Sequence, residues 1–152
     1  MRVCYTNDVG CQPDHLWKFL EEPEMQKQWM KGVLENQPTS DGPPGVGSTF
    51  RMKIQEGGKV ADYDGTITAY DKPRRLAVDL SGGNFPCGTV VRVDYQLSEA
   101  NGGTRLDYVA EMVAGQGLPW WMRLMLPIGK VFMKMQLRGF MKKLKSLAEA
   151  PA

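Results

Sequence analysis

The C-terminal segment constrains this chain most. From Leu118 onward it reads as a long amphipathic helix, with Met133, Leu137, Phe140, Leu144 and Leu147 recurring at four- and three-residue spacing. Such a pattern marks one buried helical face. Upstream there is no helix of comparable length to cover that face, only a long run of strand-and-turn pattern. An antiparallel sheet curled around the helix satisfies both, and it leaves room for an apolar pocket between them.

The strand pattern is regular. Arg2 to Val9 can form a first strand, and Pro13 and Pro23 each open a short helix, where the missing proline N–H costs nothing. Leu16, Trp17, Phe19 and Leu20 give the first helix its apolar side, and Met25 and Trp29 fall in the second. A short strand around Val33 and Leu34 precedes a Pro- and Gly-rich loop from Pro38 to Gly47. From Ser48 the period is two: Phe50, Met52 and Ile54 alternate with Arg51 and Lys53. Glu56-Gly57-Gly58-Lys59, Asp71-Lys72-Pro73, Ser81-Gly82-Gly83-Asn84 and Asn101-Gly102-Gly103 divide the remainder into successive hairpins, an antiparallel meander. Pro127 predicts a kink or break near Met125 to Gly129, since an interior proline costs about 3 kcal/mol. The main helix is then expected from about Ile128 to Glu149.

At 152 residues the chain is expected to form one domain. A net charge of +2 gives no argument for nucleic acid. The start, MRVCYTNDVG, has no apolar core of signal-peptide length, and the three cysteines have no CxxC spacing. Both features lead to the expectation of a cytoplasmic protein with reduced thiols. These thiols and the single histidine are too few for a zinc site, so no metal is expected. No cofactor motif stands out. The loop GPPGVGS at Gly42 to Ser48 has the glycines of a phosphate loop but lacks its lysine and precedes a strand. His15, beside Asp14 in the first turn of a short helix, reads as a solvated histidine rather than a general base, and no G-x-S-x-G elbow accompanies it. Asp62-Tyr63-Asp64-Gly65 is too short for a calcium loop.

Strand alternation directs Phe50, Met52, Ile67, Val78, Val93, Tyr95, Tyr108 and Met112 toward the helix. Plain core accounts for most of them. Tyr95 and Tyr108 differ, because a buried phenol needs a hydrogen-bond partner, either a neighbouring polar group or a ligand oxygen. Trp29, Met122, Met133 and Leu137 complete the expected ligand-binding set, methionine serving an adaptable pocket as readily as a core gap. Arg92, Asp94, Arg105, Asp107 and Glu111 share the opposite face as solvated cross-strand pairs. Arg123, Lys130, Lys134, Arg138, Lys142 and Lys145 form a basic stripe on the last helix. A solvated face is the plain reading, and Trp120 and Trp121 beside it leave transient contact with a membrane surface open. The Leu118 to Met122 segment could form a mouth or lid.

Read in order, several segments resemble the START-related, or SRPBCC, superfamily and its polyketide cyclase/dehydrase and lipid-transport group. These are Pro13-Asp14-His15-Leu16-Trp17-Lys18-Phe19-Leu20, Glu22-Pro23-Glu24 with Trp29, and Gly45-Val46-Gly47-Ser48. Asp71-Lys72-Pro73-Arg74-Arg75-Leu76, Gly103-Thr104-Arg105-Leu106 and Leu144-Lys145-Ser146-Leu147-Ala148-Glu149 complete the series. The resemblance implies an α+β helix-grip fold, a curved sheet of about seven strands around the C-terminal helix. It also implies a cavity for lipids, quinones, polyketides or similar molecules. Binding or transport of a small hydrophobic ligand is the leading expectation. A cyclase/dehydratase acting on a polyketide-like substrate is the alternative, and a protein-interaction module of the heat-shock ATPase activator type is a third. The family has no fixed catalytic motif, so no catalytic residue carries over, and oligomeric state has no signal in the sequence.

Overall fold

The computed structural model of the chain describes residues 2–30, 32–56, 58–83, 88–113 and 120–150, and for 56 and 120–133 it describes the backbone alone. Strand β1 (Arg2–Val9) leads into α1 (Pro13–Glu21) and α2 (Pro23–Trp29). Six strands follow: β2 (Val33–Pro38), β3 (Thr49–Glu56), β4 (Lys59–Asp71), β5 (Arg75–Gly82), β6 (Val90–Ala100) and β7 (Gly103–Val113). Helix α3 (Trp120–Glu149) ends the fold. Each short helix carries proline in its first turn, as the sequence predicts.

The strands form one antiparallel sheet in the order β1-β7-β6-β5-β4-β3-β2. From β2 to β7 each strand pairs with the next in the chain. The pairing of β1 with β7 joins the two ends of the chain's β region, with Tyr5 opposite Tyr108. A local sequence pattern cannot announce that contact, because the partners are so far apart in the chain. The curved sheet and its C-terminal helix form the helix-grip arrangement.

The hydrophobic core is one continuous cluster, most deeply buried where α1, β7 and α3 meet. Leu16 and Trp17 of α1, Leu106 of β7, and Met141 and Leu144 of α3 are all fully buried there. Asn7 of β1 is buried against α3, its Nδ2 donating to the Met141 carbonyl at 3.0 Å. This end of the interior is solid. On the outer face Arg75 pairs with Asp94 at 2.8 Å, Arg92 with Asp79 at 3.3 Å and Arg105 with Asp8 at 3.2 Å. Of the residues that alternation assigns to this face, Arg92, Asp94 and Arg105 thus pair across strands with partners outside the expected set, and Asp107 accepts from the Thr6 hydroxyl at 2.9 Å.

One expectation fails. Helix α3 runs unbroken from Trp120 to Glu149, through Pro127, where the sequence predicts a break. A single proline removes one bond from the ladder, and the turns on both sides supply enough others to carry the helix across it.

Candidate functional site

The interior is hollow between the inner face of β2 to β7 and the middle of α3. A cavity of about 1270 Å³ opens there. Strand parity builds its wall: Phe50, Met52, Ile67, Val78, Val93, Tyr95 and Tyr108 all line it, joined by Trp29 of α2 and Leu137 of α3. Nine of the twelve residues named from sequence as ligand-binding therefore meet around one space. Met112 packs against the core cluster and is not among the lining residues. Met122 and Met133 fall where side chains lie outside the described residues, as do Trp120 and Trp121. Leu118 and Pro119 of the expected lid lie outside them altogether.

Local sequence explains how the wall is kept open. Gly65 of β4 stands opposite Phe50 of β3, and a Cβ on Gly65 would collide with the Phe50 ring. The ring occupies the space over the glycine, so a bare backbone position lets an aromatic side chain lie flat on the sheet. The Pro- and Gly-rich loop covers the β3–β4 side of the cavity with Ser40, Gly42, Pro44 and Ser48. It is pinned to the sheet, Gly47 donating to the Ile67 carbonyl at 2.8 Å and Ile67 to the Ser48 carbonyl at 2.9 Å. Gly42 and Gly47 adopt φ of 88° and 91°, which glycine alone adopts without strain.

Polar groups interrupt the apolar wall at two places. The first is the tyrosine pair. Tyr95 and Tyr108 are register partners across β6 and β7, their ring centroids 5.3 Å apart in an edge-on contact. Tyr95 is 5% exposed, and neither phenol has a hydrogen-bond partner among the described residues. Burial pushes Tyr108 up to about 12 and holds Tyr95 well above the ordinary phenol range, with the charge of an ionised Tyr108 adding to the second shift. Both are protonated donors at neutral pH. The polar neighbour that could have satisfied them is absent from the described residues, which leaves the cavity as the source of a partner.

The second place was not found from sequence. Glu21, at the last turn of α1, accepts from the Tyr70 hydroxyl at 2.9 Å and from the Trp17 indole N–H, with Lys72 Nζ 3.9 Å away. Burial and the Glu21 carboxylate raise the Tyr70 phenol. Beside them Gln26 donates to the Leu20 carbonyl and accepts from Asn36. Glu21, Tyr70, Gln26 and Asn36 all line the cavity. Tyr70 escapes strict alternation because the β4–β5 register shifts between Ile67 and Ala69. A bulge of this kind reverses parity, so Ile67 and Tyr70, three residues apart, share the inner face.

His15 is half-buried with its ring edge-on to Phe19 at 5.5 Å, away from the lining residues. Among the described residues no group of three or more His, Cys, Asp or Glu side chains is placed to hold a metal ion. No described helix is long and apolar enough to cross a membrane.

This architecture, a seven-stranded sheet gripping a terminal helix around a cavity, defines a class of ligand-binding domains. A family model described as polyketide cyclase / dehydrase and lipid transport matches residues 2–149, and the chain belongs to that family. An uncharacterized protein of Mycobacterium tuberculosis is 25% identical over 146 residues, covering 95% of this chain and 83% of the relative. Among solved structures, protein CV1439 from Chromobacterium violaceum superposes with a TM-score of 0.76 at 13% identity, covering 99% of this chain and 98% of that one. The crystal structure of Ara h 8.0201 gives 0.72 at 18% identity, with 97% of both chains covered. The Aha1 dimer from Colwellia psychrerythraea gives 0.65 at 17%, covering 98% and 96%. At such identities these structures speak for the fold.

Proposed function

We propose that this protein binds and carries a small hydrophobic molecule, a lipid, quinone or polyketide-like compound, in its interior cavity. One observation carries the reading: about 1270 Å³ of space with a largely apolar wall that includes two buried phenols without a protein partner among the described residues. Pockets for small organic ligands run to roughly 300–1,000 Å³ and combine apolar surface with a few placed polar groups. Each 100 Å² or so of ligand surface removed from water contributes about 2.5 kcal/mol before the costs of association. The family's description as lipid transport supports the same reading.

The test is uptake by stripped protein of a panel of fatty acids, quinones and polycyclic aromatics, read as melting temperature. Members of the panel raise it by several degrees; an unchanged value across the whole panel contradicts the proposal. Cytoplasmic residence belongs to this reading. So does transient delivery at a bilayer surface, for which Lys134, Arg138, Lys142 and Lys145 are exposed on α3.

The tyrosine pair favours a second reading, a cyclase or dehydratase. Two phenols kept protonated by burial can donate to a carbonyl oxygen as charge develops on it, but neither serves as a base near neutral pH. Turnover of a polyketide-like substrate that survives Tyr95→Phe and Tyr108→Phe together removes those roles.

A further inference from the structure

Four of the five tyrosines lie on one row across the sheet. Tyr70 of β4 stands opposite Leu76 of β5, Leu76 opposite Tyr95 of β6, Tyr95 opposite Tyr108 of β7, and Tyr108 opposite Tyr5 of β1. Residues directly opposite in antiparallel strands share a face. Tyr70, Leu76, Tyr95 and Tyr108 line the cavity as consecutive members of this row. Adjacent strands are about 4.8 Å apart, so the backbones of Tyr70 and Tyr95 are separated by roughly 10 Å with an apolar leucine between them.

The two ends of this segment differ chemically. At one end Tyr95 and Tyr108 offer unpartnered phenol O–H groups. At the other the Tyr70 proton is already committed to Glu21, and what remains is acceptor capacity: the Tyr70 oxygen and the free lone pairs of the carboxylate. Among the described lining residues the charged side chains are Glu21 and Glu22, both carboxylates. A ligand anion beside Glu21 meets a carboxylate that the half-exposed Lys72 ammonium, 3.9 Å away, offsets only in part, so an uncharged ligand is favoured.

We propose that the cavity selects an elongated, uncharged compound with an apolar middle and an oxygen at each end, one accepting from Tyr95 and Tyr108 and the other a hydroxyl donating to Glu21 and Tyr70. The inference rests on the ligand-binding reading above and deepens it by naming the ligand class. It assigns Glu21 and Tyr70 as specificity determinants. Tyr70 and Trp17 hold the carboxylate from two sides, Trp17 also stacking edge-on against Tyr70 at 5.5 Å, so the acceptor is fixed before a ligand arrives.

Quenching of tryptophan fluorescence by three probes tests it: estradiol, the same steroid skeleton without its hydroxyls, and palmitate. The expected order is estradiol tightest, by about tenfold over the bare skeleton, each well-placed hydrogen bond contributing several-fold. Tyr70→Phe and the double variant Tyr95→Phe/Tyr108→Phe should each erase most of that advantage and leave the bare skeleton unaffected, which also shows that the variants fold. Glu21→Gln should weaken estradiol and strengthen palmitate. Equal affinity for estradiol and the bare skeleton, or palmitate binding tightest, overturns the two-ended assignment while leaving a ligand pocket in place. Failure of all three probes to bind overturns the assignment and the pocket reading together.

Discussion

Tyr95 and Tyr108 sit edge to face with their hydroxyls unpaired among the described residues, and their protonation carries a consequence for stability. In the unfolded chain a phenol ionises near pH ~10. In the fold Tyr108 holds its proton up to about 12, and Tyr95 is raised as well. Between those values the unfolded state has released protons that the native state retains, so stability falls as pH rises. The contribution is complete below pH ~10 and is lost through about 12. The denaturation midpoint should therefore drop more steeply over this window in the wild type than in Tyr108→Phe. Parallel curves would remove the buried phenol from the account. Gly65 gives a second prediction at this scale. A methyl group there meets the Phe50 ring, and overpacking of this kind costs about 1–3 kcal/mol. Gly65→Ala should lower stability by that amount, and Gly65→Ala with Phe50→Leu should recover part of it. A neutral single variant would mean that Phe50 does not occupy the space above the glycine.

At the scale of elements, α3 has two roles along its length. Its C-terminal half closes the solid end of the interior through Met141, Leu144 and Ala148, while Leu137 and Phe140 face the cavity. Leu144→Ala should therefore cost about 2–5 kcal/mol by denaturant titration, as expected for a leucine removed from tight packing. Leu137→Ala, whose side chain borders space already empty, should cost less. Equal losses would mean the two stretches are packed alike. Strand β4 shows where sequence reasoning stops. Alternation directs Ile67 to the inner face, which Tyr63 and Gly65 share, but the register shift after Ile67 brings Tyr70 to that face too. Nothing in Thr66-Ile67-Thr68-Ala69-Tyr70 marks the bulge. Glu21 was missed for a related reason. Its role arises from a single side-chain contact between the end of α1 and the end of β4, residues 49 positions apart.

For the whole molecule, the arrangement was largely legible because each hairpin is local: a period of two, a turn residue, then a period of two again. Such signals fixed the β2 to β7 meander and the parity of Phe50, Met52, Val78, Val93, Tyr95 and Tyr108. The β1–β7 pairing and the continuity of α3 through Pro127 depend on tertiary packing and were beyond local pattern. What the cavity's existence adds is a division of labour: one end of the molecule is packed to hold the fold, and the other is left hollow. The central claim is that the hollow end holds a ligand. Native mass spectrometry tests this most directly, on gently purified protein beside a variant whose cavity is filled by Val78→Trp. The account predicts a one-to-one complex with a small apolar molecule in the wild type and its loss in the filled variant. A complex that persists unchanged after filling, or bare protein even after incubation with hydrophobic candidates, would contradict it.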